Sequence, residues 1–259
     1  MNGNVTTERR GHVFMMGLDR ATKRNAFDLP MFHALARAYA ELDRDDDLRC
    51  GVLFAHGEHF TAGLDLVQFA PVFASGKWDF PEGALDPMGL SGARVRKPIV
   101  AAVQGICLTI GIELLLATDI RVAAPSARFG QIEIKRGIYP VGGATLRLPR
   151  EVGWGNAMRW LLTGDELDAT EAHRIGFVQE ISEPGQHRER AVAIAETIAA
   201  QAPLGVRATL ASSRLERSAG EDEAARRLLP DLAPILASDD VKEGLASFVE
   251  RRHARFTGK

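Results

Sequence analysis

The chain has 259 residues, 46% of them hydrophobic and 25% charged, the composition of an ordinary soluble globular protein large enough for a sizeable core. Lys plus Arg (32) nearly balance Asp plus Glu (34), so no net field favours nucleic acid or an anionic membrane as partner. The N-terminus has no apolar signal core and no apolar run reaches the roughly 18 residues of a membrane span, so a cytoplasmic protein is expected.

In chain order, "HVFMMGL" reads as a strand, followed by a helix from Leu29 behind Asp28 as N-cap, with Phe32, Leu35, Ala36, Tyr39 and Leu42 at helical spacing. "DRDDD" closes that helix as a solvated loop, and "CGVLFAHG" from Cys50 is the next strand, giving a β-α-β order. Strands "KPIVAAVQGI" and "IRVAAP" follow, short, β-branched and apolar on both faces, as in a sheet covered by helices on each side. The intervening stretch from Phe69 to Ala93, rich in Gly, Pro and aromatics, reads as a long loop or loose helix of the kind that forms a substrate wall. After residue 150 the pattern turns helical: "WGNAMRWLLTG" ends at Gly164 as a C-cap, and from Gln186 amphipathic helices succeed one another, with breaks expected at Pro203, Gly220 and Pro234. Cys50 and Cys107 lie in apolar runs without metal-ligand spacing and are expected to be buried thiols, with no disulfide and no metal site.

Three segments carry candidate chemistry. "HFTAGLDL", from His59, is a small-residue turn after a strand, where free backbone N–H groups can gather negative charge; its plain alternative is a tight turn with Asp65 as a helix cap. "GICLTIGIELLLATDI", from Gly105, holds Glu113 in the first turn of a helical pattern among Ile and Leu, where it either caps the helix, pairs with an arginine or does chemistry. In "FGQIEIKRGIYPVGGATLRLP", Glu133 alternates with Ile132 and Ile134 and on pattern alone is an outward-facing strand residue.

The order of these segments resembles the crotonase, or enoyl-CoA hydratase/isomerase, superfamily, and most closely its hydratases. "KRNAFD" is similar to the early CoA-contacting turn, "FTAGLDL" to F-S-A-G-A-D-I, and "KPIVAAVQG" to K-P-V-I-A-A-V-N-G. "GQIEIKRGIYPVGGAT" is similar to the second acidic segment and "VKEGLASFVERRHARFTGK" to the C-terminus, so the likeness spans nearly the whole chain. The resemblance implies an α/β fold, a crotonase-like ββα spiral over residues 1–200, with a C-terminal helical trimerisation region over 201–259 assembled as a homotrimer or dimer of trimers. It implies a CoA thioester substrate, with CoA part of that substrate and no further cofactor, its thioester oxygen held by the backbone N–H groups of Leu64 and Ile110.

Glu113 and Glu133 fall on both acidic positions used by hydratases, whereas an isomerase can manage with the carboxylate at Glu133 alone. Adding water to a 2,3-double bond requires a base to take a proton from water and an acid to deliver one to C2, so the pair favours hydration. Isomerisation or hydrolysis of a CoA thioester, and non-catalytic acyl-CoA binding, are the alternatives. For CoA, the resemblance implies Arg24, Ala26, Ala62, Asp65 and Leu66 along the pyrophosphate, pantetheine and adenine path, with Phe248 and Arg251 reaching a neighbouring subunit's CoA. The sequence departs from the pattern at three places. "TIG" replaces a glycine run and puts an Ile side chain at the second donor, expected to narrow the pocket or turn the backbone; Val141 stands for a glycine; Val67 stands where a phosphate-contacting lysine is usual. His59, near the first turn, is expected to be structural.

Overall fold

A computed structural model describes residues 2–259. The chain runs β1 (Asn4–Arg10), β2 (Val13–Asp19), α1 (Leu29–Arg44), β3 (Cys50–Ala55), α2 (Leu66–Ser75), β4 (Ile99–Val103), β5 (Ile106–Leu108), α3 (Ile110–Leu115), β6 (Ile120–Ala123) and β7 (Arg128–Gly130). A 3₁₀ turn (Glu133–Arg136) leads to α4 (Ala144–Val152), α5 (Trp154–Thr163), β8 (Glu166–Asp168), α6 (Ala169–Arg174), β9 (Glu180–Ile181), α7 (His187–Ala199), α8 (Pro203–Ala219), α9 (Glu221–Leu236) and α10 (Asp239–Glu250). Described residues form a six-stranded sheet, β1-β2-β3-β4-β6-β9, parallel except for the β1–β2 hairpin, and a three-stranded sheet, β5-β7-β8. After β4 and after β6 the chain enters the smaller sheet, as β5 and β7, before its next helix, the strand-strand-helix order expected of the spiral.

The near-continuous apolar runs of β2, β3 and β4 are explained by burial on both faces. Phe14, Met16, Leu18, Leu53, Ala101 and Val103 pack towards α1, while the alternating residues Val13, Met15, Val52, Phe54, Val100 and Ala102 pack against Ala191, Val192, Ala195 and Ala199 of α7. Helix α1 begins where the N-cap signal puts it: Asp28 accepts from the Met31 N–H at 3.0 Å, and Pro30 sits in the first turn, where its missing N–H is not needed. The other Asp28 oxygen accepts from the Gly3 N–H at 2.7 Å and lies 3.3 Å from the Arg20 guanidinium, which tethers the N-terminus to the start of this helix.

Two expectations need correction. Pro234 does not end a helix; it lies inside α9 together with Pro230, and the break comes at Ala237 and Ser238. Each proline forfeits an N–H bond to the carbonyl four residues before it and crowds that carbonyl, and α9 carries both without ending. Glu133 is not on a strand: β7 stops at Gly130, and Glu133 opens the 3₁₀ turn with its side chain buried. The wall from Phe69 to Ala93 is divided, with α2 continuing to Ser75 and ending on Gly76 at φ 67°, and an irregular stretch beyond it. Trp78 and Phe80 anchor that stretch by stacking on Phe32 at 5.4 Å each, and Phe69 meets the same ring edge-on at 5.7 Å.

Cys50 and Cys107 are buried, unpaired thiols, and burial pushes both thiol pKa values up. Neither is a reactive thiolate. An aromatic disulfide reagent is expected to titrate no thiol in the native protein and two after denaturation; rapid native labelling would show that the core opens.

Candidate active site

A cavity of about 820 Å³ is lined by Ala62, Leu64, Leu66, Thr109, Ile110, Glu113, Glu133 and Val141, with Phe73, Trp78, Ile138 and Tyr139 among its apolar walls. Two backbone turns and two carboxylates converge on it, each from a separate part of the chain.

The first turn is built on Asn25, a residue in the left-handed region at φ 54°. Its side-chain amide donates to the His56 and His59 carbonyls at 2.8 Å each and accepts from the Arg20 N–H at 2.7 Å. Its carbonyl accepts from the Thr61 hydroxyl at 2.7 Å, and the same hydroxyl oxygen accepts from the Gly63 N–H at 3.1 Å. Gly63 at φ 107° turns the chain, while the Phe27 N–H donates to the Gly63 carbonyl and the Asp65 N–H to the Phe27 carbonyl, both at 2.8 Å. The Leu64 N–H is passed over by this pairing and finds no acceptor among the described residues.

The second turn is Thr109, at φ 51° and ψ −115°, held by its own N–H donating to the Gly130 carbonyl at 2.9 Å. A β-branched residue in that region costs about 1–3 kcal/mol, which the surrounding pairing must offset. Ile110 then opens α3 with its N–H unpaired among the described residues, as helix-start donors are. Ile110 lines the cavity while 1% exposed and packed in the core, and the unusual backbone angle falls on Thr109 before it.

Glu113, three residues into α3, is 2% exposed. Its Oε1 accepts from the Gly142 N–H at 2.6 Å and from the Ala144 N–H at 3.1 Å, at the start of α4. Burial raises its pKa to about 7 against the downward pull of those two N–H groups and of Arg147. Gly142 must be a glycine here, since a Cβ would stand 2.5 Å from Glu113 Oε2. Glu133 is buried on the 3₁₀ turn, and its pKa also rises to about 7, from burial first and then from the charge of Glu113. The Gln131 amide, oriented so that its nitrogen donates, lies 3.2 Å from both Glu133 oxygens and 3.0 Å from the Thr109 carbonyl, joining the second carboxylate to the second turn. Both carboxylates are thus shifted up towards neutrality, where each can take up or give a proton.

Of the residues assigned to CoA by resemblance, Ala62 and Leu66 line the cavity. Arg24 and Ala26 lie beside it, the Arg24 carbonyl accepting from the Ala62 N–H at 2.9 Å. Asp65 makes no side-chain cap; it takes Arg20 at 3.3 Å instead. Phe248 and Arg251, on and just after α10, are not among the residues lining this cavity; Phe248 is 85% exposed. Val67 is 85% exposed and is not among the residues lining the cavity. His59 is held in the turn, its Nδ1 3.4 Å from the Ile106 N–H, which supports a structural role. Residues that sequence reasoning passed over are Asn25, Thr61, Gln131 and Gly142. Only the Gly pair of "PVGGAT" signalled one of them, as a close-approach turn before a helix.

The enoyl-CoA hydratase/isomerase family model matches residues 8–259. The chain is 36% identical to an enoyl-CoA hydratase of Mycobacterium tuberculosis over 99% of this chain and 97% of the relative. It is 33% identical to a mevalonyl-coenzyme A hydratase of Aspergillus fumigatus, covering 93% and 90% of the two chains. A probable enoyl-CoA hydratase/isomerase from Mycobacterium abscessus superposes with a TM-score of 0.96 at 48% identity over 99% of both chains. An enoyl-CoA hydratase structure from M. tuberculosis gives 0.89 at 37% identity, again over 99% of both. With this match running almost end to end and the two turns and two carboxylates in place, the chain belongs to the enoyl-CoA hydratase/isomerase family.

Proposed function

We propose that this chain is an enoyl-CoA hydratase, a hydro-lyase adding water across the 2,3-double bond of a CoA thioester. The observation that carries this reading is the pairing of two buried carboxylates, Glu113 and Glu133, in one cavity with two unpaired N–H groups. The thioester oxygen accepts from the Leu64 and Ile110 N–H groups, and each donor lowers the barrier by roughly 3 kcal/mol as enolate charge grows on that oxygen. Glu113, whose Oε1 already accepts from two backbone N–H groups, is the better placed to be ionised and takes a proton from the attacking water. Glu133, whose pKa is raised by burial first and then by the Glu113 charge, holds the proton that passes to C2. The Val141 N–H, without an acceptor among the described residues, is the donor available to the water oxygen.

Ala62 and Leu66 would flank pantetheine, with Arg24, Ala26 and Asp65 behind them. Phe248 and Arg251 would meet the CoA of a neighbouring subunit in a homotrimer or dimer of trimers. That assembly is supported by the exposed apolar surface of Leu228, Leu229, Leu232 and Leu236 on α9 and of Phe248 and Val249 on α10. Among the described residues no helix is long and apolar enough to cross a membrane.

Activity requires the singly protonated pair, so kcat/KM for crotonyl-CoA is expected to be bell-shaped with both limbs near neutrality. The acid limb follows protonation of Glu113 and the basic limb loss of the Glu133 proton. Turnover is followed by loss of the conjugated thioester's ultraviolet absorbance. A flat profile from about pH 5 to about pH 9 would exclude this division of labour.

A further inference from the structure

A second cavity, of about 1020 Å³, lies between the loop at Asp86–Val95, α4 and α8, and neither Glu113 nor Glu133 lines it. Six arginines line it: Arg94, Arg121, Arg147, Arg150, Arg214 and Arg217. Three carboxylates face them, and all three are already engaged. Glu151 takes Arg121 at 2.6 Å and Arg217 at 3.5 Å, and Asp119 takes Arg214 at 3.2 Å. Asp86 is consumed by its own turn, accepting from the N–H groups of Met88, Leu90 and Ser91 at 2.8–3.0 Å and from the Ser91 hydroxyl.

Arg94, Arg147 and Arg150 are left without a carboxylate among the described residues. Arg94 Nε and Arg147 Nη2 both donate to one neutral acceptor, the Gly89 carbonyl, at 2.7 and 3.2 Å, so two like charges are brought together on a single oxygen. Arg150 donates to the Arg217 carbonyl at 2.9 Å. Arg147 Nη1 is buried with no partner at all. Gathering guanidiniums this way is unfavourable unless an anion sits between them, and burial with the neighbouring Arg94 charge holds the Arg147 pKa down to about 10. Planar guanidiniums presented by the Asp86–Val95 loop and α4 match the oxygens of a tetrahedral oxyanion, each able to give paired charge-assisted hydrogen bonds.

We propose that the cleft between α4, α8 and the Asp86–Val95 loop binds a small multivalent oxyanion of the phosphate or pyrophosphate class, separately from the thioester cavity. The test is calorimetric titration of inorganic pyrophosphate into the purified native protein, with and without saturating free CoA. Saturable uptake of one anion per chain that survives CoA is expected, weakened at least about tenfold by Arg94→Gln combined with Arg150→Gln. Both side chains are exposed and donate only to carbonyls, so the folded state is expected to persist, and thermal melting checks it. Arg150→Gln alone is the second variant, expected to weaken uptake in the same direction. Absence of saturable uptake, an affinity unchanged in both variants, or uptake abolished by CoA would overturn the proposal, the last by assigning the anion to the thioester site.

Discussion

Glu113→Gln and Glu133→Gln are each expected to lower kcat on crotonyl-CoA by at least about a hundredfold, with a much smaller change in KM. The amide is nearly isosteric, so the cavity keeps its shape while the proton-transfer group is lost. For Glu113 the substitution has a second effect. Its Oε1 accepts from the Gly142 and Ala144 N–H groups, and an amide can keep those bonds only by turning its NH₂ towards the water. That replaces an acceptor for the water proton with a donor. The Glu133 variant keeps its place beside Gln131 but holds no transferable proton, so the basic limb of the pH profile should disappear with it. Near wild-type turnover in both variants would refute the two-carboxylate chemistry.

The second large effect is expected at Gly63. Its φ of 107° is outside the range an alanine readily adopts, and a Cβ there would stand 2.4 Å from Thr109 Oγ1, between the two turns that carry the unpaired N–H groups. Gly63→Ala must therefore move the Leu64 N–H, the Thr109 turn, or both. Loss of one oxyanion donor corresponds to a fall of about 10²–10³ in kcat, and that is the expected magnitude. Adding Thr109→Ala removes the hydroxyl in the way but not the unfavourable φ, so the double variant should recover part of the loss and not all of it. Full activity in Gly63→Ala would show that the turn tolerates displacement and that the Leu64 N–H does not act on the thioester oxygen.

Much of the scaffold is legible in the sequence because its signals are local. Asp28 marks the start of α1, Gly164 at φ 65° ends α5, and the unbroken apolar runs of β3 and β4 announce strands buried on both faces. What escaped depends on contacts between distant segments. Ile132-Glu133-Ile134 alternates like a strand, and only the packing after β7 winds it into a 3₁₀ turn. Gly142 looks like any flexible turn residue until Glu113, 29 positions away, is seen to occupy the space of its missing side chain. The glutamates themselves were located by their place in a family pattern; their shared cavity and raised pKa values required the fold. Phe248 and Arg251 were assigned by the same pattern, and in a single chain nothing carries them to the cavity, since the role proposed for them needs a second subunit.

The most direct measurement is the mass of the product formed from crotonyl-CoA in heavy-oxygen water. Hydration predicts a single product heavier by one labelled water, formed by the wild-type protein and strongly suppressed by Glu113→Gln. A product of unchanged mass, or free CoA with a labelled acid, would contradict it and assign the site to isomerisation or to hydrolysis.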